Sequence, residues 1–241
     1  MEKPIIGMIS PRAIKEDSPF DNYTKFINTY PKRIIEAGGI PIGLVFPDGK
    51  FEIEEAELCD GFVLQGGPIL ESCQINIVKY AIDKKKPILG ICLGMQTMAG
   101  YNWVYNELGN TTYNEIDNFF KPEYEEFFLE KREGHNNLDP FYISQIEKSK
   151  HNIILDEDSR LYEIYKTNII SEPSLHGFVL KDNTLGDSKI FKVTGKSKDG
   201  TIEAIEGLDT NHFIVGVQFH PELEKQNNIL FKRLVKEARK K

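Results

Sequence analysis

The sequence predicts an α/β fold: an open, mostly parallel sheet covered by helices on both faces, with short β-hairpins added in the second half. Three features carry this reading. The apolar runs Pro4–Ile9, Gly61–Leu64 and Pro87–Ile91 are continuous rather than alternating, as in strands buried on both faces. Stretches with helical spacing separate them. Beyond residue 150 the apolar runs shorten and turn residues punctuate them, with Asp199-Gly200 the clearest hairpin signal.

Taken in order, Pro4–Ile9 reads as the first strand and Tyr23–Ala37 as a helix that ends at Gly38-Gly39, where glycine accepts a left-handed cap. Ile40–Phe46 is the next apolar run, Ile53–Leu58 a short helix and Gly61–Leu64 a strand entering Gln65-Gly66-Gly67-Pro68. Ile75–Asp83 is a helix, Pro87–Ile91 a strand, and Gly94–Tyr101 the helix that follows. Asn102–Asn137 is rich in Tyr, Phe, Asn and Glu without a clear period, and reads as a loop-bearing insertion. Lys150–Ile154, Asn168–Ile170, Phe178–Leu180, Ile190–Thr194 and Thr201–Ile205 are short strand candidates. Phe213–Phe219 is one more buried strand, and Asn228–Arg239 a closing amphipathic helix.

Composition narrows the function classes. Acidic residues outnumber basic ones, 37 to 30, giving a net charge of −7. With no basic block, nucleic acid and anionic membranes are not the expected partners. The three cysteines, Cys59, Cys73 and Cys92, are odd in number and too few for a disulfide scaffold, so a reducing, cytoplasmic setting is expected. The apolar run Ile5–Ile9 is interrupted by Gly7 and closed by Pro11, and resembles neither a secretory signal nor a span of about 20 residues. One domain covering 1–241 is the expectation.

Gly90-Ile91-Cys92-Leu93-Gly94 stands where a buried strand meets a helix, the form of a nucleophile elbow with cysteine in place of serine. The helix presents free N–H groups and the positive end of its dipole to the sulfur, an arrangement that favours a reactive thiolate. His220-Pro221-Glu222 follows the last buried strand. Parallel strands end on one edge, so this segment and Cys92 share a crevice there. A thiol nucleophile needs a base, and the base needs a group to fix its tautomer: His220 and Glu222 fill those places. Gly66-Gly67-Pro68 lets backbone amides approach a ligand, so Gly67 and Leu93 are candidates for an oxyanion hole.

Gly90–Gln96, Gly216–Glu222 and Gln65–Pro68 resemble the three signatures of class I glutamine amidotransferase domains, and their order and spacing cover nearly the whole chain. The resemblance implies a flavodoxin-like sheet and a Cys-His-Glu triad that cleaves a γ-glutamyl C–N bond through a thioester. By motif, Cys92 is the nucleophile, His220 the acid/base, Glu222 its orienter, and Leu93 and Gly67 the oxyanion amides. Gly66 lines the same turn, and Gln96 contacts the amino-acid end of the glutamyl group. Ser174-Leu175-His176-Gly177-Phe178 matches the segment that holds the α-carboxylate and α-amine, through backbone and side chains.

Two branches compete. Ala37–Pro41, Ser174–His176 and Lys198–Ala204 resemble free-standing γ-glutamyl hydrolases, and the insertion suits a bulky leaving group. The alternative is a glutaminase subunit that supplies ammonia to a separate synthase. The whole-chain resemblance extends to hydrolases of capsule phosphoramidate biosynthesis, which release glutamate from a cytidine diphosphate-linked phosphoramidate. The expected partner is thus a small γ-glutamyl substrate, nucleotide-linked in that case. A diphosphate needs cations, and Arg12, Lys131 and Arg132 are placed to supply them. No cofactor or metal is expected, because His135, His151, His176, His212 and His220 show no ligand-like spacing along the chain. With no Gly-Lys-Ser/Thr phosphate loop, ATP-driven chemistry is not expected either.

Overall fold

The structure, a computed structural model, describes residues 2–13, 23–135, 146–224 and 228–239. In the first half the elements run β1 (Ile5–Ile9), β2 (Arg12–Ala13), β3 (Tyr23–Thr24), α1 (Thr29–Glu36), β4 (Ile40–Gly43), α2 (Ile53–Glu57), β5 (Gly61–Leu64), α3 (Ser72–Asp83), β6 (Ile88–Ile91) and α4 (Leu93–Leu108). There follow α5 (Tyr113–Phe119), a 3-10 turn at Pro122–Phe127, β7 (Leu129–Lys131), α6 (Ile146–Ser149), β8 (Lys150–Leu155), α7 (Arg160–Tyr165) and β9 (Ile169–Pro173). The chain then forms β10 (Phe178–Leu180), β11 (Phe191–Ser197), β12 (Ile202–Gly207), β13 (Ile214–Val217), a 3-10 turn at Pro221–Leu223 and α8 (Ile229–Ala238).

Among the described residues nine strands form the main sheet, in the order β4-β1-β5-β6-β13-β12-β11-β8-β9. The first five pair in parallel and the last four antiparallel. The continuous apolar runs are explained by what lies above and below. Along β5, Phe62 and Leu64 point into one core while Val63 points into the other. In β13, Ile214 and Val215 divide in the same way. Side chains alternate across a strand, so both faces must be apolar when both are covered. One core packs under α3 and α4 through Ile75, Val78, Met95 and Met98; the other lies under α1 and α8 through Ile34, Phe231 and Leu234. No helix among the described residues is long and apolar enough to cross a membrane.

Two expectations change and a third is met. The helix expected over Tyr23–Ala37 begins only at Thr29, and Tyr23–Thr24 is instead a short strand paired with Arg12–Ala13. Pro31 sets that start: its missing N–H is tolerated only in a first turn. The insertion at 102–137 is largely ordered secondary structure. α4 runs on to Leu108, α5 opens with a capping box between Thr112 and Glu115, and Leu129–Lys131 pairs antiparallel with Phe178–Leu180. Trp103 stacks on Phe119 and Phe127, so the aromatic residues without a period form a local core of their own. The end of that segment, residues 136 and 137, lies outside the described residues. The hairpin expected at Asp199-Gly200 joins β11 to β12, with Gly200 at φ +89°.

Candidate functional site

The C-terminal ends of β1, β5, β6 and β13 lie on one edge of the sheet and deliver Pro11, Gly66-Gly67, Cys92 and His220 to it. Cys92 sits between β6 and α4 with φ 55° and ψ −108°. A side chain in that region costs about 1–3 kcal/mol, and the surrounding turn holds it there. The two flanking glycines explain how. A Cβ on Gly90 would lie 2.6 Å from the Gly94 carbonyl, and one on Gly94 would collide with the Leu64 carbonyl oxygen at the end of β5. The elbow is therefore pressed directly against the strand that carries Gly66-Gly67. Leu93 is the first residue of α4, so its amide is among those a helix leaves without an internal acceptor.

Gly66 lies at the centre of the crevice. A Cβ there would stand 3.1 Å from His220 Cε1, 3.3 Å from the Tyr30 hydroxyl and 3.4 Å from Cys92 Cβ. Gly67 packs against Pro11, and its Cβ position is 3.3 Å from Leu93 Cδ2, which brings the two candidate oxyanion residues side by side. His220 Nδ1 is 2.7 Å from Glu222 Oε1. The other ring nitrogen, Nε2, is buried on the side that interacts with Cys92. Burial alone would drive this imidazole toward its neutral form, but the charges of Glu222 and Cys92 outweigh it and hold the pKa well above the usual histidine value.

Two residues of the site were not anticipated. The Tyr30 hydroxyl accepts a hydrogen bond from the Gly66 amide at 3.0 Å, and burial next to Glu222 raises its pKa well above the ordinary tyrosine value. Arg33, one turn on, is buried and donates through Nε to the Glu222 backbone carbonyl at 3.0 Å. The amide of His220 is tied to Pro173 O at 2.9 Å. Helix α1 and the end of β9 thus clamp the His220–Glu222 segment from two sides. In the sequence Tyr30 and Arg33 look like two more residues of an amphipathic helix, so nothing local marks them.

The other expected residues are placed differently from one another. Gln96 is buried, and its Nε2 donates to Phe178 O at 3.0 Å and to Gln218 Oε1 at 3.1 Å, bracing the 174–178 segment against the nucleophile helix. Within that segment the amides of Ser174 and His176 are bound to Ser149 O and His135 O. The side chains of Ser174 and His176 are also engaged, with His135 O and with Phe178 O. Leu175 and Gly177 remain half-exposed and Phe178 exposed, so they form the accessible part. Arg12 does not supply a free cation: its guanidinium pairs with Glu71 at 2.7 Å and donates to Pro47 O. A cleft of about 400 Å³ there is lined by Arg12, Pro68, Ile69, Glu71, Pro122, Glu123 and Glu125, three carboxylates to one cation. Arg132 bonds Glu130 and Thr201, whereas the exposed Lys131 lies over the Phe178 ring at 5.9 Å.

Spacing along the chain also concealed a cluster. The fold gathers His135, His151 and His176 around the buried carboxylate of Glu203, and His135, His176 and Glu203 have the geometry of a metal-ligand set.

The Peptidase C26 family model matches residues 70–222. A glutamine amidotransferase-like protein of Rickettsia prowazekii is 30% identical, over 99% of this chain and 99% of its own length. The CTP synthase of Paramagnetospirillum magneticum is 28% identical over 76% of this chain, which spans 35% of that protein. Among solved structures, the glutaminase domain of Trypanosoma brucei CTPS with bound acivicin has the same fold, with a TM-score of 0.68 at 17% identity, covering 99% of this chain and 94% of that one. A cysteine elbow and a histidine–carboxylate pair on one edge of such a sheet, inside a family match that takes in both, place this chain in the peptidase C26 family of class I glutamine amidotransferase-like proteins.

Proposed function

We propose that this protein is a cysteine hydrolase of a γ-glutamyl C–N bond, releasing L-glutamate through a thioester on Cys92. The observation that carries the proposal is Cys92 held at positive φ on a helix N-terminus beside the His220–Glu222 pair. In this mechanism the Cys92 thiolate attacks the γ-carbonyl carbon, and the carbonyl π electrons move onto oxygen. The amides of Leu93 and Gly67 stabilise that oxyanion. His220, protonated and oriented by Glu222, gives its proton to the leaving nitrogen as the C–N bond breaks. The neutral imidazole then takes a proton from water, hydroxide attacks the thioester carbon, and the thiolate departs. Tyr30, by accepting from the Gly66 amide, holds the glycine turn in register with Cys92.

The finer proposal concerns the leaving group. We infer a free-standing hydrolase whose leaving group is large and anionic, γ-glutamyl-CDP-amidate being the specific reading, with glutamate and cytidine diphosphoramidate as products. Lys131 and the exposed Phe178 ring support it, since together they offer a phosphate-binding charge and a stacking face at the accessible part of the 174–178 segment. The acidic cleft beside Pro68 gives no support from the other side. The similarity to CTP synthases, of which this chain spans 35% in one case, supports the second reading, a glutaminase subunit feeding a synthase.

Glutamate release from glutamine and from γ-glutamyl amides with small or anionic leaving groups separates these readings. A free-standing hydrolase turns over the amides alone, and Lys131→Glu raises KM for the anionic ones selectively. Turnover of glutamine only when a synthase is added would replace it with the glutaminase reading.

A further inference from the structure

We propose that His135, His176 and Glu203 form a binding site for one divalent transition-metal ion of the zinc class, through ligand atoms that do not include those of Cys92, His220 or Glu222. The three ligand atoms come from three parts of the chain: the segment after β7, the 174–178 segment, and β12. All three side chains are at least nine-tenths buried.

The protons decide the matter. His135 Nε2 is 2.9 Å from Asp199 Oδ2, an oxygen that can only accept, so this nitrogen carries the hydrogen. In a neutral ring the lone pair then sits on Nδ1, which is 3.4 Å from Glu203 Oε1. His176 repeats the arrangement with the nitrogens exchanged. Its Nδ1 is 3.2 Å from the Phe178 carbonyl oxygen, which leaves the lone pair on Nε2, 3.6 Å from the same Glu203 oxygen. With both rings neutral, two lone pairs are therefore turned toward a buried carboxylate. His135 Nδ1, His176 Nε2 and both Glu203 oxygens have no hydrogen-bonding partner. Buried polar atoms left this way are costly, and a cation at the focus of His135 Nδ1, His176 Nε2 and one Glu203 oxygen would satisfy these three together.

The dimensions fit as well. A tetrahedral ion with bonds of about 2.0–2.1 Å has ligand-to-ligand edges of about 3.3–3.4 Å, close to the 3.4 and 3.6 Å from the two histidines to Glu203, and all three ligand atoms lie within 4.8 Å of one another. Each imidazole hands its outer N–H to an oxygen acceptor, the arrangement that fixes the tautomer of metal-ligating histidines. Two imidazoles and a carboxylate suit Zn²⁺ and Co²⁺ better than the hard cations Mg²⁺ and Ca²⁺. His151 Nε2, 3.0 Å from Glu203 Oε1, borders the carboxylate on its third side. A surface cleft of about 460 Å³ lined by residues including Gly134, His135, His151 and Asp199 reaches the His135 edge of the cluster. Bound there, it would tie the 174–178 segment to the sheet.

The test uses the untagged full chain carrying Cys92→Ala, so that the nucleophile cannot contribute a ligand and hydrolysis is not the readout. Zn²⁺ is titrated calorimetrically after chelator dialysis, and Co²⁺ is followed by its visible absorption. The expected result is one saturable equivalent of Zn²⁺, a Co²⁺ ligand-field band, and a higher Tm with Zn²⁺ than with EDTA. His135→Ala, at the rim of the cleft, is expected to weaken Zn²⁺ binding at least about tenfold and to abolish the Co²⁺ band. Glu203→Gln is expected to do the same, with circular dichroism checking that it folds. Absence of stoichiometric binding, or Zn²⁺ affinity unchanged in a folded His135→Ala protein, would overturn the proposal and leave the cluster an imidazolium–carboxylate network.

Discussion

His220 Nδ1 and Glu222 Oε1 lie 2.7 Å apart across a single proline. A carboxylate oxygen can only accept, so the contact puts a hydrogen on Nδ1 and leaves Nε2 to exchange protons on the Cys92 side. Glu222→Gln keeps the shape but removes the charge and allows the wrong tautomer. We expect kcat to fall about 10²–10⁴-fold with KM little changed. Because Glu222 is the largest influence raising the His220 pKa, histidine NMR titration should show the ring losing its proton at lower pH in this variant. An unchanged kcat would remove Glu222 from the mechanism.

Tyr30→Phe deletes only the hydroxyl that accepts from the Gly66 amide. The expected stability loss is about 1 kcal/mol by denaturant unfolding. Activity should fall about tenfold in kcat, because a misplaced turn costs more in the transition state than in the ground state. Equal loss in Tyr30→Phe and Tyr30→Leu would agree with this; full activity in Tyr30→Phe would show that the hydroxyl does not position the turn.

Gly94→Ala brings a methyl group against the Leu64 carbonyl. Backbone cannot rotate aside as a side chain can, so a destabilisation of about 1–3 kcal/mol is expected from overpacking. Displacing the end of β5 also moves Gly66 and Gly67, and glutamate release should drop in protein that remains folded. Thermal unfolding and initial rates measured on one preparation check both effects.

Glu172 gives a pH prediction that does not involve the reaction. It is buried, accepts from the Tyr165 hydroxyl at 2.9 Å, and burial raises its pKa to about 7. Folded protein therefore keeps this proton over a range, about pH 4.5 to 7, where unfolded protein has lost it. Its contribution to stability is complete below pH 4.5, falls as pH rises to about 7, and is flat above. Glu172→Gln, which keeps an acceptor for Tyr165, should flatten that slope and be more stable than the parent at pH 8, on the order of 1–3 kcal/mol. Parallel slopes in urea unfolding from pH 5 to 8 would contradict the assignment.

The sheet was legible because burial on both faces writes itself as unbroken apolar runs, and the strand-end glycines mark where backbone comes closest. Cys92 and the His220–Glu222 pair could be found for the same reason: each lies next to a strand end, so a one-dimensional motif reports a three-dimensional neighbourhood. Tyr30 and Arg33 could not, since they act from a helix on partners far along the chain, Gly66 for Tyr30 and Glu222, 189 positions away, for Arg33. The gathering of His135, His176 and Glu203 was hidden because the three lie in separate segments with no short spacing to mark them. Arg12 misled in the opposite sense, because Glu71, which neutralises it, lies 59 positions away in sequence. The insertion was opaque because its aromatic residues pack on one another rather than along one helix face.

The central claim is that Cys92 carries the glutamyl group. Acid-quenching the protein during turnover of a γ-glutamyl amide, followed by peptide mass spectrometry, tests it most directly. The account predicts a glutamyl adduct on the Cys92 peptide, accumulating in His220→Ala or early in wild-type turnover, and neither adduct nor glutamate release in Cys92→Ala. Glutamate release by Cys92→Ala at a rate near that of the wild type, or an adduct on any other residue, would contradict it.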